Sequence, residues 1–327
     1  MKYYIPKYVP IYKSNNKICI GFANKLDRYV EFDYTDDNYN YIEKILVEGT
    51  TEITDSSPEI LKNLFESNLI ELQKVEVYTQ RGYLFLEYLK NGNFPLVKDS
   101  EILVFGAGGV GGTLIYLLAQ FGFTNLHIVD FDEVNDSDVF KLLVYDKEQI
   151  GIRKVKALQE KIEKNFGFKI NTYESELVEF AHLNQLISAI EPALIVKACD
   201  PDLVFRVALN KICYDQKIPH LHIAYSFEDI RIGPLFIPGF MGCDQCLNLS
   251  MQEIYGSHYA FENNKRLFSK LQIHPSVSFN INIAASFVLK EIIFFLTQQI
   301  EFCFSIGRIV ELNPLSLQFS HFNIEPV

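Results

Sequence analysis

Gly106, Gly108 and Gly111 stand in G-x-G-x-x-G spacing directly after an apolar run, Ile102-Leu103-Val104-Phe105. The run has the composition of a strand buried on both faces of a parallel sheet. Glycines at this spacing let the backbone approach a phosphate closely. The helix start that follows offers free N–H groups and a positive dipole end. A second apolar run, Leu126 to Val129, closes on Asp130 and Asp132. An acid at the end of that second strand is placed to hold a ribose hydroxyl. The pattern predicts a site for an adenine nucleotide.

A G-x-G-x-x-G followed by an acid occurs most often in NAD or FAD enzymes, so the motif alone does not choose the nucleotide. Three further features favour a triphosphate. Two acids, Asp130 and Asp132, are present in D-x-D spacing. Lys154 opens a predicted helix 24 residues beyond Asp130, after Gly151-Ile152-Arg153, where its ammonium can reach back to phosphates. The predicted strand 193–198 ends in Cys199-Asp200-Pro201-Asp202. A carboxylate at the carboxyl end of a parallel strand lies where ligands bind in such sheets, and Mg²⁺ prefers one or two carboxylates plus phosphate oxygens. The set fits ATP with Mg²⁺ better than NAD. Blander readings remain beside it: Lys154 as a solvated helix lysine, Asp200 as a helix cap before Pro201, and the two acids as a turn.

These residues need a scaffold, and the hydrophobic pattern supplies one. Strands at 102–105, 126–129, 168–173, 193–197 and 220–224 alternate with helices at 110–121, 154–165, 182–190 and 202–215. Such alternation predicts an α/β, Rossmann-like, doubly wound, mostly parallel sheet. Residues 1–77 read differently, as short strands followed by two helices, which suggests a small winged-helix-like module. Ser56 and Glu59 have capping-box spacing at the start of its second helix. The expected organisation is 1–77 as that module, 78–98 as a connecting helix and loop, and 99–327 as the nucleotide domain. His220 and His222 share a predicted strand, and one of the two is expected to face the core. Cys199, Cys213 and Cys303 read as core thiols rather than nucleophiles.

Bulk properties narrow the class. The 327 residues carry a net charge of −11, which argues against nucleic-acid or anionic-membrane partners. Six cysteines without a framework spacing fit a reducing cytoplasm. The apolar stretch Asn282 to Gln298 is interrupted by Lys290 and Glu291 and reads as a core or subunit-interface helix, not a membrane span.

The set GAGGVGG, VDFDEV, Gly151 to Lys154, ACDPD and GPLFIPGFMGCDQC resembles the ThiF/MoeB-type, ubiquitin-activating-enzyme-like adenylating superfamily. The layout is most similar to peptide adenylyltransferases of microcin C-type antibiotic biosynthesis. The resemblance implies ATP-dependent adenylation of a carboxylate on a ribosomally made precursor peptide, with the leader held by the N-terminal module. It implies a homodimer. It assigns Gly106, Gly108, Gly109, Gly111, Asp130, Asp132 and Lys154 to the nucleotide, Asp200 to Mg²⁺ and catalysis, and Lys141 to the catalytic set. Arg81 matches the arginine that reaches the partner subunit's ATP.

The chain departs from the family at two places. Where the family has S-N-x-N-R-Q, this chain has Ser137-Asp138-Val139-Phe140-Lys141-Leu142, so a carboxylate replaces an amide and Lys141 replaces an arginine fork. Cys243 and Cys246 form one C-x-x-C knuckle, without the second pair that four-coordinate Zn²⁺ needs. Two alternatives to adenylation stand beside it: a non-catalytic leader-binding partner or inactive half of a heterodimer, which these departures favour, and an NAD-dependent dehydrogenase, which rests on the glycine fingerprint alone. Which carboxylate is activated, and on which peptide, is not legible in these residues.

Overall fold

The computed structural model describes residues 2–6, 8–22, 26–50, 53–54, 56–72, 85, 89, 97–176, 179–200, 203–225, 229–256 and 276–324. The chain divides into two compact units, Met1–Gly92 and Asn93–Val327. Most of the expected connecting segment 78–98 lies outside the described residues.

In the first unit, β1 (Tyr3–Tyr4) pairs antiparallel with β5 (Glu71–Leu72). β2 (Ile11–Ser14), β3 (Lys17–Gly21) and β4 (Tyr29–Asp33) form an antiparallel sheet in that order. Asn15 and Asn16, at φ 47° and 61°, make the two-residue turn between β2 and β3. Asparagine tolerates the left-handed region that this kind of hairpin turn demands. α1 (Asp36–Val47) starts at Thr35, whose hydroxyl accepts from the Asn38 N–H at 3.1 Å. α2 (Glu59–Glu66) buries Leu61 and Leu64 against Ile18, Ile20, Ile42 and Ile45. The expected capping box at Ser56 and Glu59 does not form. Pro58 is the cap residue and Glu59 the first helical residue, one turn position too early to reach back. The Ser56 and Ser57 hydroxyls bond to Thr54 instead.

The second unit is built on an eight-stranded sheet in the order β13-β12-β11-β10-β9-β6-β7-β8. β6 (Ile102–Phe105), β7 (Leu126–Val129), β8 (Asn171–Tyr173), β9 (Leu194–Lys197) and β10 (His220–Tyr225) run parallel. β11 (Ile230–Phe236), β12 (Arg308–Asn313) and β13 (Gln318–Asn323) extend the sheet antiparallel. The expected doubly wound sheet is therefore present. From β6 the chain builds outward through β7 and β8, then returns to the other side of β6 for β9. That reversal makes the carboxyl ends of β6 and β9 the topological switch point, where ligands bind in open α/β sheets.

Helices cover both faces. α6 (Phe180–Ile190) and α7 (Leu203–Asp215) pack Leu183, Ile187, Phe205, Leu209 and Ile212 against Leu103, Phe105 and Ile195 of the sheet. On the opposite face α3 (Gly109–Phe121) packs with α5 (Lys154–Phe166) and with α9 (Ser278–Leu296). α9 is long and apolar enough to cross a membrane by length and composition. Here Ile281, Ala284, Ala285, Val288 and Ile292 are buried in the unit, which is the core role expected. Full burial contributes about 1.5–3 kcal/mol per large aliphatic side chain. Glu291, wholly buried on the same helix, accepts from the Phe304 and Ser305 N–H groups and the Ser305 hydroxyl, and so ties α9 to the entry of β12.

His220 and His222 are both buried, at 2% and 8% exposure, which corrects the expectation of one buried ring. Residues two apart on a strand share a face. Their rings pack on each other and on Phe236. Burial pushes the His220 pKa from 6.5 down to about 4, and that of His222 well below 6.5. The unfolded chain protonates these rings first, so the stability they confer is complete above pH 6.5 and is lost as the pH falls toward 4. The unfolding free energy measured by urea titration is expected to drop across this window, by up to about 1.4 kcal/mol per pH unit per ring. His220→Phe should flatten the drop, and an unchanged slope in that variant would refute the assignment.

Candidate functional site

Gly106 leaves β6 at φ +102° and its N–H donates to Val129 at 2.8 Å. A Cβ on Gly106 would lie 2.7 Å from the Ala198 carbonyl oxygen, and one on Gly111 would run into the Gly106 carbonyl. These two glycines are fixed by backbone meeting backbone. Gly108 is different. It is the residue before α3, no side chain caps the helix there, and a Cβ on it would meet nothing within 4 Å. The space beside the α3 N-terminus is thus open at Gly108, and an uncapped helix start of this kind can accept a phosphate. Gly109 sits under Ile281 and the Tyr225 hydroxyl, 3.4 Å from where its Cβ would be.

Asp130 closes β7 and its carboxylate holds the loop together. One oxygen accepts the Ala107 N–H at 2.6 Å and the other the Asp132 N–H at 2.7 Å. An ionised carboxylate has about four acceptor sites. Asp130 therefore retains capacity for ribose hydroxyls. The Tyr145 hydroxyl supports the same loop by donating to the Ala107 carbonyl at 2.6 Å.

Lys154 is the first residue of α5 and is only 6% exposed. Its Nζ lies 3.3 Å from Asp132 and 3.4 Å from Asp138. Burial alone would depress its pKa, but Asp138, Asp132 and Asp130 outweigh that effect and raise it, so Lys154 stays charged. Asp138 is 3% exposed on α4 (Asp136–Lys141). It also accepts from the Asn135 N–H in a capping box, and Lys141 stands 3.7 Å away. The carboxylate that departs from the family pattern is thus enclosed by two lysines.

Asp200 is exposed just past the end of β9. The switch point therefore gathers Gly106 to Gly111, Asp130 and Asp200, with Lys154 and its carboxylates beside them. Arg81 lies outside the described residues. Tyr225, raised in pKa by burial and within electrostatic reach of Asp200, Asp138 and Lys154, belongs to this edge as well. The sequence signal for Tyr225 is its position at the carboxyl end of a parallel strand.

The residues present suit a Mg²⁺-bound triphosphate: one exposed carboxylate for the metal, a lysine, and an open helix N-terminus for phosphates. Among the described residues no three His, Cys, Asp or Glu side chains form a group that could hold a metal unaided. Cys243 and Cys246 place their sulfurs 3.8 Å apart, but this pair alone does not make a Zn²⁺ site. Burial raises the thiol pKa of Cys199 to about 11 and of Cys213 and Cys303 to about 12, so none is poised as a thiolate nucleophile.

Residues 87–326 match the ThiF family. Over 151 residues the chain is 28% identical to the molybdopterin-synthase adenylyltransferase of Escherichia coli (strain K12), covering 46% of this chain and 59% of that protein. Over 142 residues it is 26% identical to the SUMO-activating enzyme subunit 2 of Dictyostelium discoideum, covering 43% of this chain and 21% of that one. The chain thus spans from 21% to 59% of the length of these curated relatives. Along its whole length it is similar in fold to E. coli MccB solved with ATP, at TM-score 0.71 and 18% identity, covering 100% of this chain and 98% of that one. It is likewise similar to PaaA, at TM-score 0.68 and 16% identity, covering 98% of this chain and 99% of that chain.

The two kinds of glycine separate experimentally. Gly111→Ala is expected to destabilise the protein by about 1–3 kcal/mol, through overpacking against backbone. Gly108→Ala should leave the melting temperature unchanged and alter only phosphate binding. Equal melting losses in both variants would refute the distinction.

Proposed function

The chain belongs to the ThiF family, and from that premise we propose that it uses ATP to adenylate a carboxylate on a ribosomally made precursor peptide. The observation that supports this most is the convergence of the glycine loop, Asp130 and Asp200 at one topological switch point, with Lys154 held charged beside them. The fold shared with MccB, which has been solved with ATP and with its precursor MccA, supports the peptide as substrate class.

The chemistry follows from charge. A peptide carboxylate is ionised near neutral pH, so no strong general base is needed. Its oxygen attacks the α-phosphorus, the bond to the bridging oxygen breaks, and pyrophosphate leaves with that electron pair. The protein's task is to align two anions and offset the charge of the transition state. The α3 N-terminus and Lys154 bind the phosphates, Asp130 orients the ribose, and Asp200 holds the Mg²⁺. Bound Mg²⁺ supplies Lewis-acid charge neutralisation on the phosphate oxygens. Lys154 exchanges at least one of Asp132 and Asp138 for phosphate, and Lys141, 3.7 Å from Asp138, balances that carboxylate where it is the one released.

The first unit holds the leader in this reading. Its sheet, ordered β2-β3-β4, has two outer strands that pair on one side only among the described residues, and such an edge can accept an added peptide strand. Homodimer formation belongs to the same reading.

A second reading, a non-catalytic peptide-binding relative, draws on one observation: Lys154 is already paired with two carboxylates. ATP–pyrophosphate exchange with candidate peptides decides between them. In an active enzyme, Asp200→Ala lowers exchange by about 100-fold or more. Asp138→Asn keeps an oxygen for the Asn135 cap and removes the competing charge, so the KM for ATP falls roughly tenfold. No exchange with any peptide, with no ATP binding by calorimetry, would leave the non-catalytic reading standing. Light scattering should report twice the mass of one chain at micromolar concentration, and a monomer would count against the dimer.

A further inference from the structure

Lys197 is the last residue of β9, three positions before Asp200. It is 8% exposed. Burying an ammonium is costly unless it is well partnered. Around it stand Arg206, Asp200, Asp244 and His222. Arg206 commits both oxygens of Asp244 to itself, at 2.7 and 2.8 Å, so Asp244 does not serve Lys197 alone. Lys197 donates a hydrogen bond to the Cys199 carbonyl oxygen, at 3.2 Å.

That carbonyl belongs to the peptide unit joining Cys199 to Asp200. The unit is planar, so anchoring its oxygen also fixes the direction of the Asp200 N–H and the plane from which Asp200 continues. The segment is held from its other end as well. The Ala198 N–H donates to Phe105 at 2.9 Å, and Ala198 and Cys199 abut the space beside Gly106 and Gly111. Ala198 thus sets the segment against the glycine loop, and Lys197 sets the plane from which Asp200 projects.

We propose that Lys197 is a positioning residue that holds the 199–200 peptide so that the Asp200 carboxylate meets the Mg²⁺ of a bound triphosphate. The proposal rests on the adenylation reading above and deepens it. It has a consequence separate from turnover: Lys197 governs the metal-dependent part of nucleotide affinity and leaves the metal-independent part, set by the glycine loop, Asp130 and Lys154, alone.

The test is fluorescence titration of the full chain with N-methylanthraniloyl-ATP, in EDTA and in Mg²⁺. In the wild type, Mg²⁺ is expected to tighten binding about tenfold or more. K197M and K197Q, both too short or too apolar to hold the carbonyl, should bind as the wild type does in EDTA and lose most of the Mg²⁺ gain, as D200N does. K197R, which retains donors, should recover part of it. A wild-type Mg²⁺ gain in any folded K197M or K197Q protein overturns the proposal. So does failure of both variants to fold, which would make Lys197 a requirement of the fold. A wild type that binds no analogue under either condition overturns the adenylation reading itself. One that binds it without a Mg²⁺ gain overturns the Asp200 role and this proposal, while leaving nucleotide binding intact.

Discussion

The close approach of the turn after β6 to the segment after β9 is the constraint on which the second unit depends. Gly106 and Gly111 have no room for a Cβ because backbone occupies that space. At this contact β6 and β9 run side by side in a parallel pair, and α3 starts just after β6. Asp130 then reaches Ala107, and Asp200 comes level with the helix N-terminus. A side chain at Gly106 would push against the segment after β9, and one at Gly111 would run into the turn itself.

Around that contact, electrostatics is arranged in pairs. Asp130 is satisfied by backbone N–H groups, Lys154 by Asp132 and Asp138, and Asp138 by two lysines and a helix cap. Arg206 and Asp244 do the same between α7 and α8 (Asp244–Tyr255). A highly charged ligand entering such a site exchanges partners with these side chains and does not meet bare charge. Asp138 is buried beside Lys154, and Lys141 at 3.7 Å adds a second cation to offset its charge.

Much of this was legible in the chain itself. The strands 102–105 and 126–129 match their expected bounds, because buried parallel strands are short continuous apolar runs with glycine or acid at the end. The α9 stretch read as a core helix for the same kind of reason: charges at Lys290 and Glu291 break its apolar face. The capping box at Ser56 failed because a proline two residues later moved the helix start. His220 and His222 are both buried, where one was expected to be, because residues two apart on a strand point the same way.

What the sequence by itself determined is whatever depends on local order: the glycine spacing, the acids at strand ends, the lysine at a helix start and the period of each element. What only the tertiary structure decided is which distant groups pair. Lys154 with Asp138, Tyr225 over Gly109, and Lys197 on the carbonyl before Asp200 depend on strand order and on burial. The physical reason is that a charge in sequence carries no dielectric. Whether Asp138 repels a ligand or is neutralised by lysines is settled by the few ångströms that folding places between them.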